Sequence, residues 1–101
     1  MATNYSAVGY ETLTVSDTAG SLVGATTARS FVGYLETAQI RMRGDGTAPT
    51  SSEGVIVDVA DKIILSESEI GRMQFIRTGS TSGVIKGHCM SVEASVLIGG
   101  Q

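Results

Sequence analysis

A single cysteine, Cys89, cannot form an internal disulfide, so the chain has no crosslinked framework to replace a core. A protein built for an oxidising compartment usually carries an even set, and folding in a reducing cytoplasm is expected. Tryptophan is absent and only five residues are Tyr or Phe, so the core must come from smaller aliphatic side chains. No run of 18 apolar residues occurs, which leaves nothing to span a membrane as a helix. The opening MATNYSAVGYETLTV lacks a basic stretch followed by an apolar one, so no secretion signal is expected. Concentrated positive charge is missing too. Seven basic and ten acidic residues give a net charge of −3, and the nearest thing to a basic cluster is Arg41 with Arg43. Nucleic acid is not expected as a partner, because phosphate binding needs a dense basic surface.

What is present favours strands. Val, Ile and Thr account for 29 of the 101 residues, and β-branched side chains suit a pleated sheet. Thirteen Gly and twelve Ser punctuate short apolar runs, and no segment sustains a 3.6-residue apolar stripe. The sequence predicts an all-β fold: an antiparallel sandwich or small barrel of about six to eight short strands, with an extended N-terminal arm.

The arm is expected over residues 1–29, small and polar, with one strand at Tyr10 to Val15 and only loose packing on the rest. A single β-domain is expected over residues 30–101. Within it SFVGYLE and QIRMR read as strands, close enough to be one strand with a kink. GVIVDVADKIIL places Val55, Val57 and Val59 on one face, then resumes from Ile63 to Leu65. Ser66 and Glu69 have capping-box spacing, so one helical turn is expected at ESEIGR, ended by Gly71. MQFIRT follows as a strand, and a long run extends from Val84 to Ile98.

Candidate chemistry is sparse. His88 and Cys89 are adjacent, but strand neighbours point to opposite faces, and one His with one Cys cannot complete a zinc site. Asp58, Asp61, Glu67 and Glu69 could supply a carboxylate pair for glycoside chemistry, yet they sit beside turns and strand ends, where solvated acids are usual. No calcium-loop spacing and no phosphate-cradling glycine pattern occurs. No cofactor, no metal and no enzymatic activity are expected.

The stretch QIRMRGDGTAPTSSEG is the most specific. Arg43-Gly44-Asp45 spells a tripeptide that resembles integrin-binding adhesion loops. A structural reading accounts for the same residues. Asp45-Gly46 makes a tight turn, and Pro49 stops the loop from continuing as a ladder strand. Arg41 or Arg43 can fork onto Asp45 or Glu53 and pin the loop.

The pattern Ile40-Arg41-x-Arg43-x-Asp45-Gly46-Thr47-x-Pro49-Thr50, then Gly54 and a Val/Ile strand, resembles a recurrent motif in small structural proteins of tailed bacteriophages. A later strand element of that motif matches Phe75-Ile76-Arg77-Thr78-Gly79. The resemblance covers about residues 29–87. It implies a non-enzymatic virion protein, made in the host cytoplasm and carried on the capsid surface as a decoration or cement protein. Its implied partners are the major capsid protein and further copies of itself. A tail, neck or fibre position is the alternative. The arm and the segment from Val92 to Gln101 are expected to lie across neighbouring subunits. A carbohydrate-binding sandwich is disfavoured, since so few aromatics are available for a sugar platform.

Overall fold

The computed structural model describes residues 7–95. Among them seven strands and one helical turn follow in order: β1 (Ala7–Val15), β2 (Ser30–Glu36), β3 (Ile40–Arg43), β4 (Val55–Val57), β5 (Lys62–Ser66), α1 (Glu67–Ile70), β6 (Gln74–Arg77) and β7 (Gly83–Met90). Two antiparallel sheets result, a four-stranded one ordered β1-β7-β2-β5 and a three-stranded one ordered β4-β3-β6. The fold is all-β, as the composition predicts, and its two antiparallel sheets make it the sandwich of the two architectures the sequence left open.

Period-two alternation builds the core. Phe31 and Leu35 of β2, Ile63 and Leu65 of β5, and Ile85 and Cys89 of β7 point inward from the large sheet. Ile40, Val57 and Phe75 meet them from the small one, and Ile70 of α1 closes an end. Gly33 and Gly87 lie directly opposite each other on β2 and β7. A Cβ on Gly87 would stand 2.6 Å from Cζ of Phe31, and one on Gly33 would stand 2.8 Å from Cε2. The pair of glycines therefore makes the floor on which the Phe31 ring lies. In a chain with so few aromatics, this ring and Phe75 supply the bulk.

β2 and β3 are two strands in different sheets, not one kinked strand. The chain leaves the large sheet after Glu36, turns through Thr37 at φ 81°, and enters the small sheet at Ile40. A β-branched residue at positive φ is unfavourable, which is why the sequence gives no sign of the corner. Gln39 Nε2 donates to Asp58 Oδ1 at 2.7 Å and ties this corner to the turn after β4.

The first 29 residues, read from sequence as an arm, are integrated with the domain from Ala7 onward. β1 pairs with β7 from Ala7↔Met90 to Val15↔Gly83, with one irregularity between Ala7 and Gly9. The following segment runs along β6: the amide of Arg77 donates to Ser16 O at 3.0 Å, and Gly20 and Phe75 exchange both backbone bonds. Leu22 and Ala28 are buried in the core. The loose packing expected from its polarity is not found, because its Thr and Ser residues turn outward while Val15 and Leu22 turn in.

Val55, Val57 and Val59 do not share one buried face. β4 ends at Val57, which is buried, whereas Val55 is 62% and Val59 51% exposed. The strand stops because Asp61 closes a turn, its Oδ2 accepting the Asp58 amide at 2.9 Å. The expected helical turn is α1, with Glu69 Oε1 accepting the backbone amide of Ser66 at 2.8 Å and Gly71 at its C-terminal end. The run from Val84 ends as a strand at Met90. Val92 and Glu93 then return to β2, where Ser30 Oγ donates to Val92 O at 2.6 Å and Arg29 meets Glu93 at 3.0 Å. Val96 to Gln101, the rest of the expected bridging tail, lies outside the described residues.

Candidate functional site

The loop between β3 and β4 is strapped to the sheet by its own side chains. Arg43 donates through Nε to Asp45 Oδ1 at 2.8 Å and through Nη2 to Oδ2 at 3.1 Å. Asp45 Oδ1 also accepts the Thr47 amide at 3.1 Å. Hydrogen bonding from Arg43, then from that amide, holds the Asp45 carboxyl below the usual carboxylate range. The same bond pushes the Arg43 guanidinium up. Gly46 takes φ 94°, a conformation that glycine adopts without penalty.

Arg41 takes a different set of partners. Its Nε donates to Ser51 O at 3.0 Å and its Nη1 to Gly54 O at 2.8 Å, so it satisfies loop carbonyls and not a carboxylate. Thr50 and Glu53 exchange backbone bonds at 2.9 and 3.3 Å, closing a small turn. Gly54, at φ 136°, lies close under Met42 O and Arg41 Cβ, and Pro49 is buried beside it. Arg72 reaches across from the end of α1 to Gly44 O at 3.0 Å. Arg41, Arg43, Asp45, Gly46, Pro49, Thr50 and Gly54 thus lie together in one internally hydrogen-bonded hairpin loop. The charges of Arg43 and Asp45 are paired with each other at the exposed surface of the loop.

The other ionisable residues are dispersed. His88 is exposed and stands edge-on to Tyr10, ring centres 5.4 Å apart, while Cys89 behind it is buried. Asp58 accepts from Gln39, Asp61 closes its turn, Glu67 lies 3.2 Å from Arg29, and Glu69 caps α1. Each of these four acids is engaged locally, and Glu67 shares Arg29 with Glu93, whose carboxylate stands 3.0 Å from the same guanidinium. Among the described residues no group of three or more His, Cys, Asp or Glu is arranged to hold a metal ion. Phe31 and Phe75 are buried, which leaves Tyr10 and Tyr34 as the exposed aromatics of the described residues.

The exposed apolar side chains are distributed unevenly. Among the described residues seven large ones stand in solvent: Val8, Tyr10, Val23, Tyr34, Val55, Ile56 and Val59. Three of these border β1, the outer strand of the large sheet, and three border β4, the outer strand of the small sheet. The two remaining edges are treated otherwise. β6 is covered by the backbone of residues 16–20. β5 starts on Lys62, runs straight into α1 and bears no exposed large apolar residue. Sequence reading missed this segregation, because period-two patterning tells which face a residue takes but not which strands end up outermost. Comparison of the chain with protein-family models, curated proteins and solved structures found no match.

Proposed function

We propose that this chain is a non-enzymatic structural protein of a tailed-bacteriophage particle, a capsid decoration or cement protein that binds and stabilises the shell of major capsid protein. The observation that carries the reading is the gathering of exposed apolar residues along two uncovered sheet edges. Such edges offer backbone donors and acceptors together with apolar area, and both are satisfied when another chain is laid against them. Burying the exposed part of Val55 or Ile56 contributes on the order of 1 kcal/mol, a gain repeated at every lattice position. The motif that resembles phage structural proteins supports the setting, and here it forms an internally hydrogen-bonded loop beside one of the two edges. The engagement of Asp58, Asp61, Glu67 and Glu69 in holding a turn, a cap or an ion pair supports a non-catalytic role.

A tail or neck component is the second reading, favoured by the presence of one open edge in each sheet, an arrangement suited to head-to-tail rings. The copy number of the chain in purified particles separates the two. A ratio to the major capsid protein near that of a shell component is expected. A few copies per particle would favour the tail or neck, and absence from particles would overturn both.

A further inference from the structure

We propose that the outer edge of β1 is a self-association site, at which a second copy of this chain adds its own β1 in antiparallel pairing. Two four-stranded sheets then become one continuous sheet across the joint. The inference deepens the reading above by naming a surface through which copies meet. Its test needs no virus particle, so its failure and the failure of that reading are separate results.

Among the described residues β1 is the longest strand, nine residues, and pairs only with β7. The backbone groups on its other side have no partner among the described residues. Edges of this length are ordinarily blunted by lysine, proline, a bulge or a covering segment. From Gly9 to Val15 there is no lysine, proline, bulge or covering segment among the described residues, the irregularity lies before Gly9, and the one further blunting device, an inward-pointing charge, is Glu11. The contrast with β6, covered by residues 16–20, is direct.

Glu11 is the only charge on the strand, and it is turned away from the outer face. Its carboxylate accepts the amides of Val23 at 2.7 Å and Gly24 at 2.9 Å. That bond does two things. It removes the one group by which an identical edge would be repelled, and it holds Val23 beside the strand with 87% of its surface exposed. The edge is therefore flanked by Tyr10 on one face of the sheet, with the exposed Val8 at the irregularity beside it, and by Val23 on the side to which Glu11 points.

A second copy fits this surface by charge and by geometry. Two identical antiparallel edges match donors to acceptors without further adaptation. In every register except the one centred on Glu11, that residue faces an uncharged partner. The flanking Val8, Tyr10 and Val23 of each copy then bury apolar area on both faces of the joint.

Sedimentation of the full chain, together with amide hydrogen exchange along β1, tests this. In a monomer the amides pointing to β7 are protected and the alternate ones are not. The expected result is a dimer in which all amides from Gly9 to Val15 are protected. Tyr10→Lys and Val23→Lys should each weaken association roughly tenfold or more, with alternate amides becoming labile in the dissociated form. Val23 lies outside every strand, so its variant keeps the fold if Tyr10→Lys does not. A chain that stays monomeric at about 100 μM overturns the proposal. So does a dimer whose alternate β1 amides exchange freely, or one that both lysine variants leave unchanged.

Discussion

Arg43 and Asp45 grip each other across Gly44, with bonds of 2.8 and 3.1 Å, so the tripeptide they frame is an internal ion pair. Surface ion pairs contribute little to stability as a rule. This one acts on conformation, because Asp45 also takes the Thr47 amide and so sets the turn that leads into the loop. Surfaces coated with the chain are accordingly expected to support no integrin-dependent cell attachment. Attachment that vanishes on Asp45→Glu would contradict the structural reading of this loop.

The Asp45 carboxyl should titrate below the usual carboxylate range when followed by NMR. Its folded-state value is depressed, so its contribution is complete above the unfolded value and is lost only as pH falls through the lowered one. Arg43→Ala should move the titration up toward the ordinary range, since the Arg43 hydrogen bond is the leading cause of the shift, while the Thr47 amide continues to lower it. An unchanged midpoint in that variant would show that the fork is not formed in solution.

The floor under Phe31 should be intolerant of even one added carbon. Gly87→Ala drives a methyl against Phe31 and the backbone of Val32 and Gly33, and should cost about 1–3 kcal/mol or more. Phe31→Ala should cost about 3–5 kcal/mol through loss of buried area and the cavity left behind. Thermal or urea unfolding measures both.

Removal of residues 2–20 distinguishes an arm from an integrated strand. A loosely attached arm could be lost with the domain intact. The sheet pairing implies the opposite, because the deletion takes away β1, the buried Val15 and the segment that covers β6. Loss of the cooperative unfolding transition, followed by circular dichroism, is expected. A remnant that unfolds cooperatively near the temperature of the full chain would contradict it.

Local features were legible in the sequence where the signal is local. SFVGYLE is β2 residue for residue, and Ser66 with Glu69 marks α1. The strapped loop could be foreseen in kind, since an arginine strand entering an Asp-Gly turn brings fork and carboxylate within reach. The choice between Arg41 and Arg43 could not, because it depends on where the Ser51 and Gly54 carbonyls return. The corner at Thr37 stayed hidden, for a strand that changes sheets looks like one that bends. The two open edges were out of reach for a deeper reason. Val55 and Tyr10 read as ordinary strand residues until the order of strands decides that nothing lies beyond them.

The central claim, that exposed edge residues hold this chain on a shell, is tested most directly by binding purified chain to particles that lack it. Cosedimentation should saturate near one chain per shell-protein site, or per fixed group of such sites. Val55→Lys with Ile56→Lys should abolish binding while changing stability by no more than about 0.5 kcal/mol per site, since both side chains are exposed. Failure of the unaltered chain to bind at all, or full binding by the folded double variant, would contradict the account.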